Sequence, residues 1–571
     1  MQDDLTIARA ASLRPITEIA ESVGIQSDEL FAYGKYKAKV SLDLLDRVQP
    51  NPNAKYIVIT AVTPTPLGEG KTVNTIGAGL GLNRIGKKTI TCIRQPSMGP
   101  VFGIKGGAAG GGYSQVVPME DFNLHLTGDM HAVGAAHNLL AAWVDTALIH
   151  KNMFDMDPAA VEIRRVVDIS DRSLRSITVG VGEKWKKSGN YREGFPRATG
   201  FDITAASEVM ACLALANSFQ DLRERMGRII VGPAKDGSPV TAEQVGAAGS
   251  MAAIMKDAAM PTLMQTIEGT ACLVHAGPFA NIAVGNSSIL ADRVALSLAD
   301  YVVTEAGFGA DMGAEKFFDI KCRVSGLRPH AAGLVATVRA LKMHGSDVSI
   351  KLGQPLPAEL VEENPEALEK GIANLEKHIE NVRSFGVQVV VIINRFPTDT
   401  EAELAYIRER ALAAGAFRAE VSEAFVKGGA GMEKVAQALV EACDVVEDFQ
   451  FAYPDDLPIK GKIEALATKI YGADGVDYED AAEAAIKRYT EWGLSHLPIC
   501  MAKTQLSISH DPALRGRPSG YRFPIRDVRV SAGAGFLVPL AGSMMTMPGL
   551  PMKPGLLKVD VDAEGQVEGL F

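Results

Sequence analysis

The sequence predicts an α/β fold built around a parallel sheet. Short apolar segments that predict strands recur along the chain, and helical segments such as 203–219 and 362–383 lie between them. Charged or glycine-rich turns directly follow several of the apolar segments. Alternating strands and helices favour parallel pairing with right-handed crossovers. The predicted strands are residues 56–62, 89–93, 165–169, 228–231, 301–304, 333–338 and 387–393.

Composition and charge limit the class of protein. Of the 571 residues, 47% are hydrophobic and 22% are charged, as in soluble globular proteins. The net charge of −10 argues against general nucleic-acid binding, which needs a basic surface. The six cysteines form no C-x-x-C pair, which indicates buried thiols in a reducing compartment. The N-terminus lacks a signal-peptide pattern and no apolar run reaches ~18 residues, so we expect a cytoplasmic protein without a membrane partner.

The segment after the first predicted strand, 56–62, is typical of a phosphate-binding loop. A glycine-rich helical segment that includes residues 77–81 follows it, so the order is strand, loop, helix. Such a loop directs backbone N–H groups and a helix N-terminus at bound phosphate. Lys71 is placed to reach the outer phosphates, and the Thr72 hydroxyl is placed to bind a magnesium ion. The candidate ATP-binding residues are Thr65, Pro66, Leu67, Gly68, Glu69, Gly70, Lys71 and Thr72.

This loop departs from the standard motif at one position. In G-x-x-x-x-G-K-[ST] the first glycine falls at Thr65. The alternative interpretation is a tight turn that starts a helix without binding a ligand. On the interpretation that the loop binds a nucleotide, we predict a sheet core of the P-loop NTPase type.

Composition shifts divide the chain into three predicted domains. Residues 7–48 carry apolar residues near helical spacing and are predicted to be mostly helical. The polar, proline-containing segment 346–365 indicates a boundary near residue 360, and a second boundary falls near 451–456. We expect a nucleotide-binding α/β domain with inserted segments over 1–360, a second α/β domain contributing a pocket over 361–450, and a C-terminal α/β domain over 451–571.

A second glycine-rich segment, 103–113, contains six glycines in eleven residues. Glycine in a helix or strand interior costs roughly 0.5–1 kcal/mol relative to alanine, so we predict a loop. The segment follows Arg94, which ends the predicted strand 89–93, and ligands bind at that edge of open α/β sheets. A flexible loop without a ligand is the alternative. The candidate substrate-loop residues are Lys105, Gly106, Gly107, Tyr113 and, further along the chain, His125.

The segment 123–131 has the residue types of a metal site but not the spacing. His125, Asp129 and His131 lack the i, i+4 arrangement of a two-histidine site on a helix. Structural or substrate-orienting histidines are therefore favoured over a zinc site.

A magnesium ion beside Thr72 needs a carboxylate at a strand end. Asp168 and Glu305 both follow predicted strands. The sequence alone does not choose between these two carboxylates.

Three aromatic residues follow predicted strands among glycines or prolines. Phe308 lies in a glycine-rich strand exit, Phe396 lies in the turn after strand 387–393, and Phe425 precedes a Lys-Gly-Gly turn. An isolated aromatic usually packs in a core, but three such exits in a chain with 6% aromatic residues favour a binding slot for a flat ring.

Several long motifs, in the same order over essentially the whole chain, resemble the formate–tetrahydrofolate ligase family. Residues 65–72 resemble its variant phosphate loop, and 103–113 resemble its first signature. Residues 335–345 resemble its second signature, with Ser346 where a second glycine is usual. The other matching segments are 123–129, 304–316, 501–505 and 545–551.

The resemblance implies a reaction, its cofactors and an assembly. ATP, formate and tetrahydrofolate would give 10-formyltetrahydrofolate, ADP and phosphate through formyl phosphate. The resemblance also implies Mg-ATP, activation by a monovalent cation such as potassium or ammonium, and a homotetramer. Formate is a poor electrophile, so phosphoryl transfer from ATP must first activate it, which requires in-line positioning and charge neutralisation.

The resemblance also implies roles for five residues. Lys71 corresponds to the phosphate-loop lysine, and Arg94 corresponds to the arginine that holds formyl phosphate. Phe308 and Phe396 match aromatic positions that line the nucleotide and folate pocket. Phe425 replaces the usual tryptophan opposite Phe396, and this departure bears on folate affinity more than on activity.

Two functions of other classes are alternatives. A partner-driven ATPase that uses hydrolysis as a conformational switch would also carry a variant phosphate loop, but its ADP release would ignore formate and folate. A nicotinamide-binding protein is disfavoured because no G-x-G-x-x-G lies in a strand-to-helix turn with an acidic residue about 20 positions later.

Overall fold

The computed structural model describes residues 3–103, 109–150, 152–184, 194–350, 355–542 and 544–570. Its α-helices are α1 Asp4–Arg9, α2 Ile16–Val23, α3 Leu44–Arg47, α4 Lys71–Arg84, α5 Met98–Phe102, α6 Met119–Asn123, α7 Asp129–Ile149, α8 Glu208–Leu215, α9 Phe219–Arg228, α10 Ala248–Ile254, α11 Ile289–Leu298, α12 Arg323–Ser325, α13 Val338–His344, α14 Ala358–Val361, α15 Pro365–Arg383, α16 Glu401–Ala413, α17 Ala424–Lys427, α18 Glu433–Cys443, α19 Ile459–Ala465 and α20 Asp480–Glu491.

The strands, in chain order, are β1 Leu30–Ala32, β2 Ala38–Val40, β3 Lys55–Ala61, β4 Thr89–Ile93, β5 Gly110–Gly111, β6 Ser114–Val117, β7 Arg165–Val167, β8 Ile177–Val179, β9 Arg197–Thr199, β10 Phe201–Ile203, β11 Ile230–Pro233, β12 Pro239–Thr241, β13 Thr262–Thr266, β14 Ala271–Val274, β15 Tyr301–Glu305, β16 Ala331–Ala336, β17 Gln388–Asn394, β18 Arg418–Ser422, β19 Val476–Tyr478, β20 Phe523–Ile525, β21 Asp527–Ser531, β22 Phe536–Leu540, β23 Asp560–Val561 and β24 Val567–Glu568.

A large central sheet of twelve strands organises the molecule. Its order is β1-β2-β13-β14-β4-β15-β3-β16-β17-β18, with β5 and β6 attached beside β13. Every pairing from β14 to β18 is parallel, and the pairings of β1, β2, β13, β5 and β6 are antiparallel. The predicted α/β fold with a mostly parallel sheet is therefore confirmed.

The order of the strands reverses at the centre of this sheet. Strands β4 and β15 lie on one side of β3, and β16, β17 and β18 lie on its other side. The chain therefore changes direction across the sheet when it passes from β15 to β16. Such a reversal opens a crevice outside the carboxyl ends of the strands, where ligands bind in open α/β sheets. The exits of β3, β15 and β16 all meet at this crevice.

The sheet is buried on both faces. All residues of β3 after Lys55, and all residues of β4, β15, β16 and β17, are buried. These strands are near-continuous apolar runs because helices cover both faces of a parallel sheet. A rigid, buried sheet of this kind fixes the positions of the side chains at its carboxyl edge.

Two sequence expectations about secondary structure are wrong in part. The segment 7–48 is not mostly helical, because β1 and β2 form short edge strands that β13 holds through antiparallel pairing. The predicted strands at 165–169 and 228–231 form as β7 and β11, but they pair with β10 and β12 in small sheets of their own. Local apolar patterns identify a strand without identifying its sheet.

The central sheet crosses the predicted boundary at residue 360. Strand β17 pairs with β16, and β18 pairs with β17, so the sheet continues beyond that boundary. The division of the chain into three domains stays a prediction.

One helix among the described residues, α7, is long and apolar enough to cross a bilayer by length and composition. Its residues Val133, Leu140 and Val144 are buried in an apolar cluster with parts of α8, α10 and β22. Core helices of soluble proteins satisfy the same criteria, and we interpret α7 as a core helix.

Candidate active site at the carboxyl edge of the sheet

The loop between β3 and α4 has the predicted order of strand, loop and helix. Strand β3 ends at Ala61 and α4 begins at Lys71. Gly68 and Gly70 both have φ of 73°, a left-handed conformation that side chains disfavour. A Cβ atom at Gly70 would also lie 2.4 Å from Nδ2 of Asn394. Both the backbone conformation and the close neighbour therefore require glycine at position 70.

The loop is held in shape by its own side chains and by the exit of β17. Glu69 Oε1 accepts hydrogen bonds from the backbone N and from Oγ1 of Thr65, at 2.7 and 2.9 Å. Asn394 donates to the backbone oxygen of Glu69 at 3.0 Å. Thr65 and Glu69 are both buried, so these hydrogen bonds are shielded from water and stabilise the shape of the loop.

One hydroxyl and two cationic side chains, those of Thr72, Arg94 and Lys71, lie around Glu305, the last residue of β15. Thr72 Oγ1 donates to Glu305 Oε2 at 3.2 Å, and Arg94 Nε donates to Glu305 Oε1 at 3.1 Å. Lys71 Nζ donates to the backbone oxygen of Phe308 at 2.7 Å. Burial raises the pKa of Glu305, but the charges of Arg94 and Lys71 outweigh burial, and the pKa lies below its usual value. Glu305 is therefore a carboxylate at neutral pH.

The geometry distinguishes Asp168 from Glu305, the two candidate magnesium ligands between which the sequence does not choose. Asp168 accepts hydrogen bonds from Ser97 Oγ at 2.5 Å and from the backbone N of Met98 at 3.1 Å, at the start of α5. Glu305 lies beside Thr72 instead. A hydroxyl and a carboxylate are oxygen ligands of the kind that magnesium prefers, so Thr72 and Glu305 fit this ion.

Phe308 has a strained backbone conformation at the strand exit. Its φ of 57° lies in the left-handed region, which costs a residue other than glycine about 1–3 kcal/mol. The neighbouring Gly307 N–H donates to the Gly285 oxygen at 2.9 Å, which helps to hold the turn. This conformation places the Phe308 carbonyl on the Lys71 ammonium. Strain that is maintained at a strand exit is typical of a ligand site.

Comparison with known proteins identifies the family. A family model described as formate–tetrahydrofolate ligase matches residues 2–571. The chain belongs to this family. Proteins named formate–tetrahydrofolate ligase from Desulforamulus reducens and Roseiflexus sp. strain RS-1 are 59% and 56% identical to it, over 100% of this chain and 99% and 100% of theirs. The protein of that name from Saccharopolyspora erythraea is 54% identical over 99% of both chains.

The segment 335–345 places an unpredicted residue, Arg339, in the candidate site. Arg339 lies in the first turn of α13, and its Nη2 donates to the backbone oxygen of Gly68 at 3.3 Å. Its guanidinium carbon lies 3.5 Å from the centre of the Phe396 ring. The sequence contains this arginine within the motif 335–345, but nothing in the motif indicates the partners.

Phe425 lies against the family's first glycine-rich signature. Its backbone oxygen accepts a hydrogen bond from Tyr113 N at 2.8 Å. A Cβ atom at Gly112 would lie 2.9 Å from Cγ of Phe425, and one at Gly111 would lie 3.1 Å from its Cε2. One side of the half-buried ring therefore packs on a glycine backbone. Its pairing with Phe396 across a ligand stays a prediction.

Only two of the five predicted substrate-loop residues, Tyr113 and His125, are described, and they have different neighbours. Lys105, Gly106 and Gly107 lie outside the described residues. The Tyr113 side chain is 46% exposed, beside Gly428. His125 is exposed and lines a cavity of about 310 Å³ together with Asp168.

The histidine-rich segment does not form a metal site around Asp129. The Asp129 carboxylate is buried and pairs with Lys39 Nζ at 2.6 Å, away from solvent. Within the described ranges, no group of three or more His, Cys, Asp and Glu side chains could hold a metal ion. The expectation that these histidines are not zinc ligands stays a prediction.

A buried polar cluster that sequence reasoning missed supports the loop from beneath. His344 Nε2 bonds to the backbone oxygen of Thr63 at 2.8 Å, and His378 Nε2 lies 2.9 Å from Thr63 Oγ1. Asn374 contacts both the backbone N and the hydroxyl of Thr63. Burial lowers the pKa of His344 and lowers that of His378 to about 4, so both rings are neutral at physiological pH. These side chains fix the point at which the phosphate loop leaves β3.

Proposed function

We propose that this protein is an ATP-dependent ligase that joins formate to tetrahydrofolate and releases ADP and phosphate through formyl phosphate. The observation that carries the proposal is the convergence of Lys71, Thr72 and Arg94 at Glu305 and Phe308, at the central crevice of the sheet. Membership of the formate–tetrahydrofolate ligase family supports the choice of substrates.

The phosphate loop binds ATP, with residues 65–72 around the phosphates as in a P-loop NTPase. An oxygen of formate attacks the terminal phosphorus of ATP, the bond to the bridging oxygen breaks, and ADP leaves. Lys71 and Arg94 stabilise the charge that spreads over the transferring oxygens, which is the main requirement of phosphoryl transfer. Arg94 binds two oxygens of formyl phosphate because a guanidinium presents a planar pair of donors.

The Thr72 hydroxyl and the Glu305 carboxylate would hold a magnesium ion, which would supply positive charge to the phosphate oxygens. Arg94 and Lys71 keep the Glu305 carboxylate ionised, as its lowered pKa reflects.

Tetrahydrofolate binds beside Phe308, Phe396 and Phe425, where its flat ring gains apolar and stacking contacts. Its amine attacks the formyl carbon, phosphate leaves, and the nitrogen loses a proton. Formyl phosphate must be shielded from water until that attack, which suits a crevice at a sheet edge. We propose that Lys105, Gly106, Gly107, Tyr113 and His125 contribute to substrate binding.

The same proposal includes a homotetramer in the cytoplasm, divided into the three domains predicted above, and activation by potassium or ammonium. Light scattering of the purified protein tests the assembly. Replacing potassium chloride by a tetramethylammonium salt tests the cation, since a large cation cannot fill a site sized for potassium.

The decisive experiment measures ADP and 10-formyltetrahydrofolate while ATP, formate and tetrahydrofolate are omitted one at a time. We expect equal amounts of both products only when all three substrates are present. With isotopically labelled oxygen in formate, one labelled oxygen should appear in the released phosphate. ADP release that ignores both formate and folate would instead indicate a switch ATPase.

A further inference from the structure

A buried ion pair joins the C-terminal part of the chain to the turn that follows β15. Lys503 Nζ lies 2.6 Å from Asp311 Oδ2, and the two side chains are only 0% and 2% exposed. A charge in the protein interior is costly unless an opposite charge and hydrogen bonds compensate it. The two side chains therefore fix each other's position, although they belong to segments far apart in the sequence.

The Lys503 ammonium is also held by its own segment. It donates to the backbone oxygens of Thr504 at 3.1 Å and Ser507 at 2.5 Å. The residue before it, Ala502, donates its N–H to the oxygen of Pro539 in β22 at 2.9 Å. Lys503 therefore presents its charge to Asp311 from a fixed support.

The Asp311 carboxylate packs inside the turn that follows Phe308. A Cβ atom at Gly309 would lie 2.5 Å from Asp311 Oδ1, so the Gly309 backbone lies directly against the carboxylate. The same Cβ atom would lie 3.4 Å from Cα of Thr63 and 3.4 Å from Cε1 of His378, where the phosphate loop begins. The turn thus contacts both the carboxylate and the start of the loop, and it cannot move without disturbing one of them.

The strained residue of this turn holds the phosphate-loop lysine. Phe308 has a φ of 57°, and its carbonyl accepts the hydrogen bond from Lys71 Nζ at 2.7 Å. A strained backbone conformation persists only where the surrounding structure fixes it. We propose that the pair of Lys503 and Asp311 fixes this turn and thereby positions Lys71 for phosphoryl transfer, a proposal that rests on the function proposed above. Lys503 and Asp311 are then positioning residues, which act on the reaction through Lys71.

The test is a cycle in which the ion pair and Lys71 are changed separately and together. Removing one partner leaves a buried charge uncompensated, whereas replacing both is often neutral for stability, so the pair variant is Asp311→Asn with Lys503→Met. We expect its kcat for 10-formyltetrahydrofolate synthesis to fall at least about tenfold, because a small misplacement of a catalytic group is costly. The KM for ATP should stay within about threefold, since the backbone N–H groups of the phosphate loop are unchanged.

The decisive measurement is the effect of the pair variant in the Lys71→Ala background. If the pair acts through Lys71, the pair variant should lower kcat there by no more than about twofold, because the lysine to be positioned is absent. A pair that merely stabilises the fold would lower kcat by the same factor in both backgrounds.

The matched control is Glu403→Gln with Lys342→Met. It removes an equally buried ion pair of 2.5 Å, which joins α13 to α16. Whatever factor this control gives in kcat should be the same with and without Lys71, as expected for independent sites.

Equal factors for the Asp311–Lys503 pair in the two backgrounds, or an unchanged kcat in the pair variant, would overturn the inference. A wild-type protein that makes no 10-formyltetrahydrofolate would overturn the proposed function itself. Melting temperatures identify a variant that fails to fold. In that case the cycle is repeated with Asp311→Asn alone, which keeps the shape of the side chain and leaves the Lys503 ammonium bonded to Thr504 and Ser507, and the same absence of a further effect on Lys71→Ala is expected.

Discussion

The site has two halves that are built differently. The phosphate half, comprising residues 62–72 with Arg94 and Glu305, is a polar network of hydrogen bonds of 2.7 to 3.2 Å in which Lys71, Thr72 and Arg94 are half-buried above the buried Thr65, Glu69 and Glu305. The ring half, comprising Phe396, Phe425 and Arg339, consists of half-buried side chains on strand exits. A preorganised network suits the stabilisation of developing charge. Partly exposed rings still have apolar surface to bury against a ligand.

The largest expected effect lies in the phosphate half. Lys71→Ala removes the ammonium that faces the transferring phosphoryl group, and we expect the barrier to rise by about 3 kcal/mol, equivalent to a fall in kcat of more than a hundredfold. Steady-state synthesis of 10-formyltetrahydrofolate measures this change. Lys370→Ala is the control, because Lys370 is exposed on α15 and pairs with Glu366 at the surface. Near-wild-type synthesis by folded Lys71→Ala would remove the phosphate loop from the mechanism.

The next prediction, at Arg94, separates the contribution of the positive charge from that of the planar hydrogen-bond geometry. Arg94→Lys keeps a positive charge beside Glu305 but loses the planar pair of donors, and a lost bond to a charged group costs about 1.5–3 kcal/mol. We expect synthesis to fall at least tenfold while the Kd of Mg-ATP stays within about twofold. Arg84→Lys, an exposed arginine at the far end of α4, serves as the control. Weaker ATP binding with unchanged turnover would make Arg94 a nucleotide contact instead.

The two halves of the site also differ in how far the sequence alone could predict them. The phosphate loop is a contiguous motif whose glycines, lysine and threonine are required locally, so its strand–loop–helix structure could be predicted. The choice of Glu305 over Asp168 needed the strand pairing, since β15 pairs with β3 whereas β7, which precedes Asp168, pairs with β10 in a separate sheet. Arg339 was missed because its bond to Gly68 joins residues 271 positions apart. The edge strands β1 and β2 were missed because their three-residue segments depend on pairing with β13.

The support beneath the phosphate half should be sensitive to acid. The pKa of His378 is lowered to about 4 mainly by burial, while Asp311 opposes this shift and His344 and Lys503 add to it. Between pH 6.5 and 4 the unfolded chain binds a proton that the folded chain excludes. The stability due to this group is therefore present above pH 6.5 and falls by about 1.4 kcal/mol per unit as the pH decreases through that window.

His378→Gln tests this pH dependence, because glutamine keeps a polar group near Thr63 but does not titrate. We expect its free energy of unfolding to fall less steeply with acid than that of the wild-type protein, as measured by denaturant titration at several pH values. His496→Gln, at an exposed histidine, is the control for loss of a histidine. Parallel pH curves for wild type and His378→Gln would show that the buried ring does not contribute.

The smallest expected effect lies in the ring half and concerns Phe425. If Phe425 stacks on the folate ring opposite Phe396, tryptophan at 425 covers more of a bicyclic ring and should add about 0.5–1.5 kcal/mol. Phe425→Trp should then lower the KM for tetrahydrofolate a few-fold and leave those for ATP and formate unchanged. Phe396→Ala should raise the folate KM alone.

The competing interpretation is that Phe425 is a packing residue over the glycine strand β5. The close approach of its ring to Gly111 and Gly112 leaves little room on that side. A larger ring there would overpack, which costs about 1–3 kcal/mol of stability. The melting temperature of Phe425→Trp would then fall without a folate-specific change. Phe417→Trp, at a half-buried phenylalanine just before β18 begins, measures the effect of the same substitution at the opposite edge of the sheet. We expect the folate effect at 425 and not at 417, because only position 425 follows the carboxyl end of that strand.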